Sequence, residues 1–113
     1  GLGFSNYIDT LKDWEYCTQD GPVYFDGETD RIYESGEPLT IATPGAASRK
    51  LTAVGSDSTV VWNPGPDKTI ALSDFPDAAW QTMLCVETAN AASDYRVLNE
   101  GQSHTLGMSI GRG

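Results

Sequence analysis

Short stretches of β-branched and aromatic residues, each closed off by Gly, Pro, Ser or Asp, recur along this chain, and that spacing constrains its fold more than any other feature. "PVYF" at Pro22 to Phe25 leads into Asp26-Gly27, a pair suited to the positive φ of a hairpin turn, and "RIYE" from Arg31 to Glu34 reads as the returning strand. "LTIAT" from Leu39 to Thr43, "RKLTAV" from Arg49 to Val54 and "TVVWN" from Thr59 to Asn63 follow. One or two helical turns are expected where Asp74 can cap and Pro76 can take a first position ahead of Ala78, Ala79 and Trp80. Strands resume with "TMLCVETA", with "YRVLN" from Tyr95 to Asn99 and, past a turn at Gly101, with "TLGMSIG", where Leu106, Met108 and Ile110 share a face. About eight strands at this spacing, with almost no helix, predict an all-β fold, an antiparallel sandwich or barrel.

Length and charge narrow the class. A chain of 113 residues, 39% hydrophobic and 20% charged, suits one domain over residues 1–113 with a modest core. A net charge of -9 with only seven Lys and Arg excludes a nucleic-acid backbone as the main partner and disfavours an anionic membrane surface. No apolar run approaches the roughly 20 residues of a spanning helix. Cys17 and Cys85 form neither a disulfide framework nor a metal-ligand spacing, so free thiols, no metal and a cytoplasmic setting are expected.

The stretch "MLCVETANAA" sets one carboxylate at the end of an apolar run. Strand alternation sends Met83, Cys85 and Glu87 one way and Leu84, Val86 and Thr88 the other, so both faces are apolar up to Val86 and the strand reads as central. A carboxylate at its end, beside small residues, stands where a cleft could open, and desolvation there would lift its pKa towards the range of a general acid or base. The plainer alternative is that Glu87 reaches solvent or pairs with Arg96 across a hairpin turning near Ala91 to Asp94.

The segments "GLGFSNYIDTL", "GETDRIYE", "STVVWNP", "SDFPDAAWQTMLCVETANA" and "LNEGQSHTLGMSI", in this order, resemble the C-terminal half of the D-hexose-6-phosphate mutarotases, relatives of the aldose 1-epimerases. The resemblance implies a galactose-mutarotase-like β-sandwich, about half of the full fold, that binds a hexose or hexose phosphate on a concave sheet face. It also implies cofactor-free interconversion of anomers. A carboxylate base takes the proton of the anomeric hydroxyl while a histidine protonates the ring oxygen, and the two must bracket one hemiacetal. Carried over by motif, Glu87 is the base, and Asp9 in "YIDTL" is an acidic residue that hydrogen-bonds sugar hydroxyls. Without the resemblance, Asp9 reads as the cap of a short turn.

The family's histidine acid and phosphate-holding arginines belong to its other half. His104, the single histidine here, falls where the family commonly has an aromatic residue and reads as a packing or surface side chain. Thr10 stands where a lysine is usual, and Gly65-Pro66 where another aromatic is usual. Catalysis by the chain alone is therefore doubtful. An incomplete sheet is expected to be completed by self-association, a homodimer being the simplest form. The alternatives are a non-catalytic carbohydrate-binding or protein-interaction module, with Trp14, Trp62 and Trp80 as stacking groups, or an isolated piece of a longer reading frame.

Overall fold

Eight strands, as the turn spacing predicts, build two antiparallel sheets in the computed structural model, which describes residues 1–113. The larger sheet has the order β2-β1-β3-β6-β7, formed by β1 (Asn6–Asp9), β2 (Glu15–Thr18), β3 (Thr29–Tyr33), β6 (Ser58–Asn63) and β7 (Cys85–Ala89). The smaller has the order β4-β5-β8, from β4 (Leu39–Ile41), β5 (Arg49–Val54) and β8 (Gly107–Arg112). A single α-helix, α1 (Gly65–Ala71), follows β6, and no helix is long and apolar enough to cross a membrane.

Several expectations give way to pairing that the pattern could not show. Pro22–Phe25 alternates as a strand should, with Val23 and Phe25 turned towards the core and Tyr24 exposed, yet no neighbour offers it a ladder and it stays irregular. Tyr95–Asn99 likewise has no partner strand and lies exposed. The first hairpin, β1–β2, was not expected. It closes through Asp13 and Trp14, both at positive φ (52° and 60°), with the Glu15 amide donating to Lys12 O. The expected helical turn shrinks to a 3-10 turn at Ala79–Gln81.

Helix α1 arises instead at the Gly65-Pro66 departure from the family pattern. Pro66 sits in its first turn, where its missing N–H would find no partner anyway, and Asp67 complements the helix dipole. Gly65 is required there. Its φ is +67°, and a Cβ would stand 2.3 Å from the Glu28 amide nitrogen.

The core is small. Tyr7, Tyr33 and Val61 are buried on the inner face of the larger sheet, with Leu2, Cys17, Val23, Phe25 and Leu84 packed against them. Leu39 and Leu51, buried on the smaller sheet, lie outside this cluster. Only 16 of 113 residues are buried, so the two sheets do not close into a complete sandwich. Ile110 is 62% exposed although it stands opposite Leu51 in the register.

Candidate active site

Register across the larger sheet decides which side chains share a face. One lateral row reads Tyr16, Ile8, Ile32, Val60, Glu87, each residue directly opposite the next. The adjoining positions Cys17, Tyr7, Tyr33 and Thr59 belong to the inner face, as do Asp9, Arg31, Val61 and Val86. Glu87 therefore projects from the outer face, at the end of an apolar floor of Ile8, Ile32 and Val60. Trp62 and Cys85 are opposite one another on the same face, one step along their strands from Val61 and Val86.

The strand that carries Glu87 is an edge, not a centre, within this chain, because β7 has a neighbour only in β6. Glu87 is exposed and the residues either side of it are half-buried. Arg96 does not pair with it. The guanidinium instead donates to Asp94 Oδ1 at 2.8 Å and to Asp57 Oδ2 at 3.4 Å.

Asp9 occupies a different setting. It is 3% exposed at the end of β1, where Oδ1 accepts the Leu11 amide at 3.0 Å, as the turn-capping alternative anticipates. Its Oδ2 lies 3.8 Å from Arg31 Nε, an ion pair without a hydrogen bond. Arg31 stacks over the Tyr7 ring at 4.7 Å and donates to Tyr33 Oη and Gln19 Oε1. Burial pushes the Tyr33 and Tyr7 hydroxyls above their ordinary pKa, and the charge of Arg31 opposes that rise. Asp9 and Glu87 are thus on opposite faces, and the sheet does not bring them together.

A second feature of the outer face lies beyond the sequence reading. A shallow hollow of about 330 Å³ is lined by Ile32, Glu34, Asp57, Ser58, Ser93 and Asp94. Glu34 Oε2 accepts a hydrogen bond from the Tyr16 hydroxyl. Asp94 Oδ2 accepts from the Asp57 amide at 2.9 Å, the Ser58 hydroxyl at 3.0 Å and Asn90 Nδ2 at 3.1 Å. Burial alone would raise the pKa of Asp94, but these hydrogen bonds, with the charge of Arg96, hold it below the ordinary value. The isoleucines set among polar neighbours in "NYID" and "DRIYE" were the available signal for this face.

His104 is exposed. Its Nε2 lies 2.8 Å from Gly55 O and 3.0 Å from Asn90 Oδ1, so it pins the segment after β7 to the turn before β6. The cysteines are unpaired, and nowhere do three His, Cys, Asp or Glu side chains form a group able to hold a metal. The three tryptophans share no platform. Trp62 is on the outer face, Trp80 lines the groove between the sheets, and Trp14 caps the β1–β2 turn.

Comparison with known proteins supplies the context for this face. The family model described as Aldose 1-epimerase matches residues 5–111. A protein of Escherichia coli (strain K12) named "Putative glucose-6-phosphate 1-epimerase" is 37% identical over 114 residues, covering 97% of this chain and 38% of its own length. Its namesake in Cenchrus ciliaris is 39% identical, with 79% of this chain and 28% of that protein covered. The crystal structure of "a putative mutarotase (YeaD)" from Salmonella typhimurium superposes with a TM-score of 0.71 at 32% identity, over 78% of this chain and 30% of that one. This chain therefore spans 28 to 38% of the curated relatives named here, less than the half that its motif order suggests. Matched from residue 5 to residue 111, and superposing on part of the fold of a mutarotase, the chain belongs to the aldose 1-epimerase family.

Proposed function

We propose that this chain is the part of a hexose-phosphate mutarotase that carries the general base, and that the base is Glu87. The observation that supports the reading is the placement of Glu87 on the outer sheet face, ending the apolar row Ile8, Ile32, Val60. An apolar floor with a carboxylate at one end suits the underside of a pyranose ring and its anomeric hydroxyl. The substrate class, glucose 6-phosphate or a related hexose phosphate, is suggested by the names of the relatives.

In this reading the Glu87 carboxylate takes the proton of the anomeric hydroxyl. The freed electron pair forms the C1 carbonyl, the bond from C1 to the ring oxygen breaks, and the ring oxygen takes a proton from an acid. Rotation about the bond from C1 to C2 and reclosure give the other anomer, with both protons returned. No electrons leave the sugar, so no redox cofactor is needed. His104 does not fit the acid, since its Nε2 is held by Gly55 O and Asn90 Oδ1. The acid must come from outside these residues, and a general acid is typically worth about 10² to 10⁴ in rate. Asp9 would reach a sugar only by giving up Arg31 and the Leu11 amide, so the reading rests on Glu87.

Titration of the labelled chain with glucose 6-phosphate, followed by amide chemical shifts, tests the reading. Shifts at Ile32, Val60 and Glu87 that vanish in Glu87→Gln are expected. A response elsewhere, or none at millimolar sugar, would overturn it.

A further inference from the structure

The outer face of the larger sheet carries one large aromatic side chain beside Glu87. Trp62 lies two residues beyond Val60 on β6, and alternation turns both outward. Three outward side chains surround Val60. Glu87 is directly opposite it on β7, Ile32 is directly opposite it on β3, and Trp62 is the next outward residue along its own strand. A pyranose lying over Val60 would have the carboxylate at one edge, Ile32 under the other and the indole across its end. Diagonal neighbours in an antiparallel pair lie about 7–8 Å apart, within reach of an aromatic side chain, so one six-membered ring fits between Trp62 and Glu87.

The flanking side chains leave the indole partly uncovered. Asp30 and Cys85 face it from the two neighbouring strands, and both are shorter than the indole. Trp62 stays half-buried, with part of its surface open to the outside. Its backbone, by contrast, is fixed, because β6 is hydrogen-bonded to a strand on either side. The next residue, Asn63, is buried and donates from Nδ2 to Trp80 O at 2.8 Å and to Met83 O at 3.0 Å, while its Oδ1 accepts the Gly65 amide at 2.8 Å. An open aromatic surface on a rigid backbone binds a ring with little further ordering. The other two tryptophans are not equivalent to it, since Trp14 stands at a hairpin turn and Trp80 lines the groove between the sheets.

We propose that Trp62 is a sugar-binding residue, an indole wall that recognises the closed pyranose ring by its C–H surface and restricts this face to cyclic sugars. The inference rests on the reading of the Glu87 face as the sugar site. The face of an indole is electron-rich and attracts weakly positive C–H groups. A pyranose presents several of these in one patch, whereas an open chain spreads them apart. The contact acts on the sugar carbons and takes no part in the proton transfers. Its contribution is orientation, holding the ring so that C1 meets Glu87 in either anomer.

The chain has three tryptophans, so its indole N–H signals can be followed singly by NMR in the labelled protein, with Trp62→Phe identifying the signal of Trp62. Glucose 6-phosphate and its 1-deoxy analogue, a pyranose without the anomeric hydroxyl, should both shift the Trp62 signal and leave those of Trp14 and Trp80 in place. Glucitol 6-phosphate, which carries the phosphate and hydroxyls on an open chain, should shift none of them. Trp62→Leu should weaken the binding of glucose 6-phosphate about fivefold, and Trp62→Phe, which keeps an aromatic face, only about twofold. A Trp62 signal that stays silent at millimolar sugar, an equal response to glucitol 6-phosphate, or parent-like affinity in a folded Trp62→Leu chain would overturn the proposal. The 1-deoxy sugar separates it from the reading of Glu87. With no hydroxyl for that carboxylate to meet, its shift at Trp62 should be the same in the parent and in Glu87→Gln. If glucose 6-phosphate also shifts Trp62 equally in both, the reading of Glu87 fails and the indole wall stands. Sugar-induced shifts at Glu87 with a silent Trp62 would remove the wall and keep the base.

Discussion

Asp9 and Glu87 project from opposite faces of one five-stranded sheet, Asp9 inward beside Arg31 and Glu87 outward beside Val60. The cause is register. Asp9, Arg31, Val61 and Val86 form one lateral row, and Glu87 is the next residue along β7, so alternation turns it the other way. One carboxylate is held among buried groups, the other is exposed at the surface.

Replacing Glu87 by Gln should leave stability within about 0.5 kcal/mol of the parent, because the side chain is exposed and the change is nearly isosteric. In a completed enzyme it should lower anomer exchange by about 10² to 10⁴. Urea unfolding beside an NMR exchange assay separates the two effects, and a large loss of stability would show that Glu87 is a structural residue.

Replacing Asp9 by Ala should do the reverse. The substitution strands the Leu11 amide and leaves Arg31 without its counter-ion, a loss of about 1–3 kcal/mol for buried polar groups left unsatisfied. Chemical denaturation would read it directly. An Asp9→Ala chain as stable as the parent would count against this account of Asp9.

Asp94 gives the chain a dependence on acid. Its folded pKa lies below the unfolded value, because the amide, amide-side-chain and hydroxyl donors and Arg96 favour the carboxylate more than burial disfavours it. A lowered folded value means that the stabilisation is fully present above the ordinary carboxylate pKa and disappears as pH falls through the lowered one. Asp94→Asn should therefore be less stable at neutral pH and lose less on acidification below about pH 4, the ordinary aspartate range. Parallel pH profiles for parent and variant would contradict this.

Gly65→Ala should destabilise by about 1–3 kcal/mol, since Gly65 has a φ of +67° and an added Cβ would meet the Glu28 backbone. Thermal unfolding measures it. An unchanged melting temperature would mean that the start of α1 can shift without loss.

The alternation in "TMLCVETA" was sufficient to separate Glu87 from Val86, and the turn residues between apolar runs were sufficient to predict β3 to β8 in approximate place. These are local properties, written in propensity and period. What the chain could not reveal in this way was which runs would find partners. Pro22–Phe25 and Tyr95–Asn99 have strand-like composition but no neighbour, whereas Asn6–Asp9 and Glu15–Thr18, where the pattern suggests only a short turn capped by Asp9, are paired strands. Tertiary pairing also decided that β7 is an edge, that Asp9 faces Arg31, and that Arg96 serves Asp94 and not Glu87. Each of these depends on contacts between segments far apart in the chain, and a hydrogen-bond ladder or an ion pair forms only when the whole sheet order is in place.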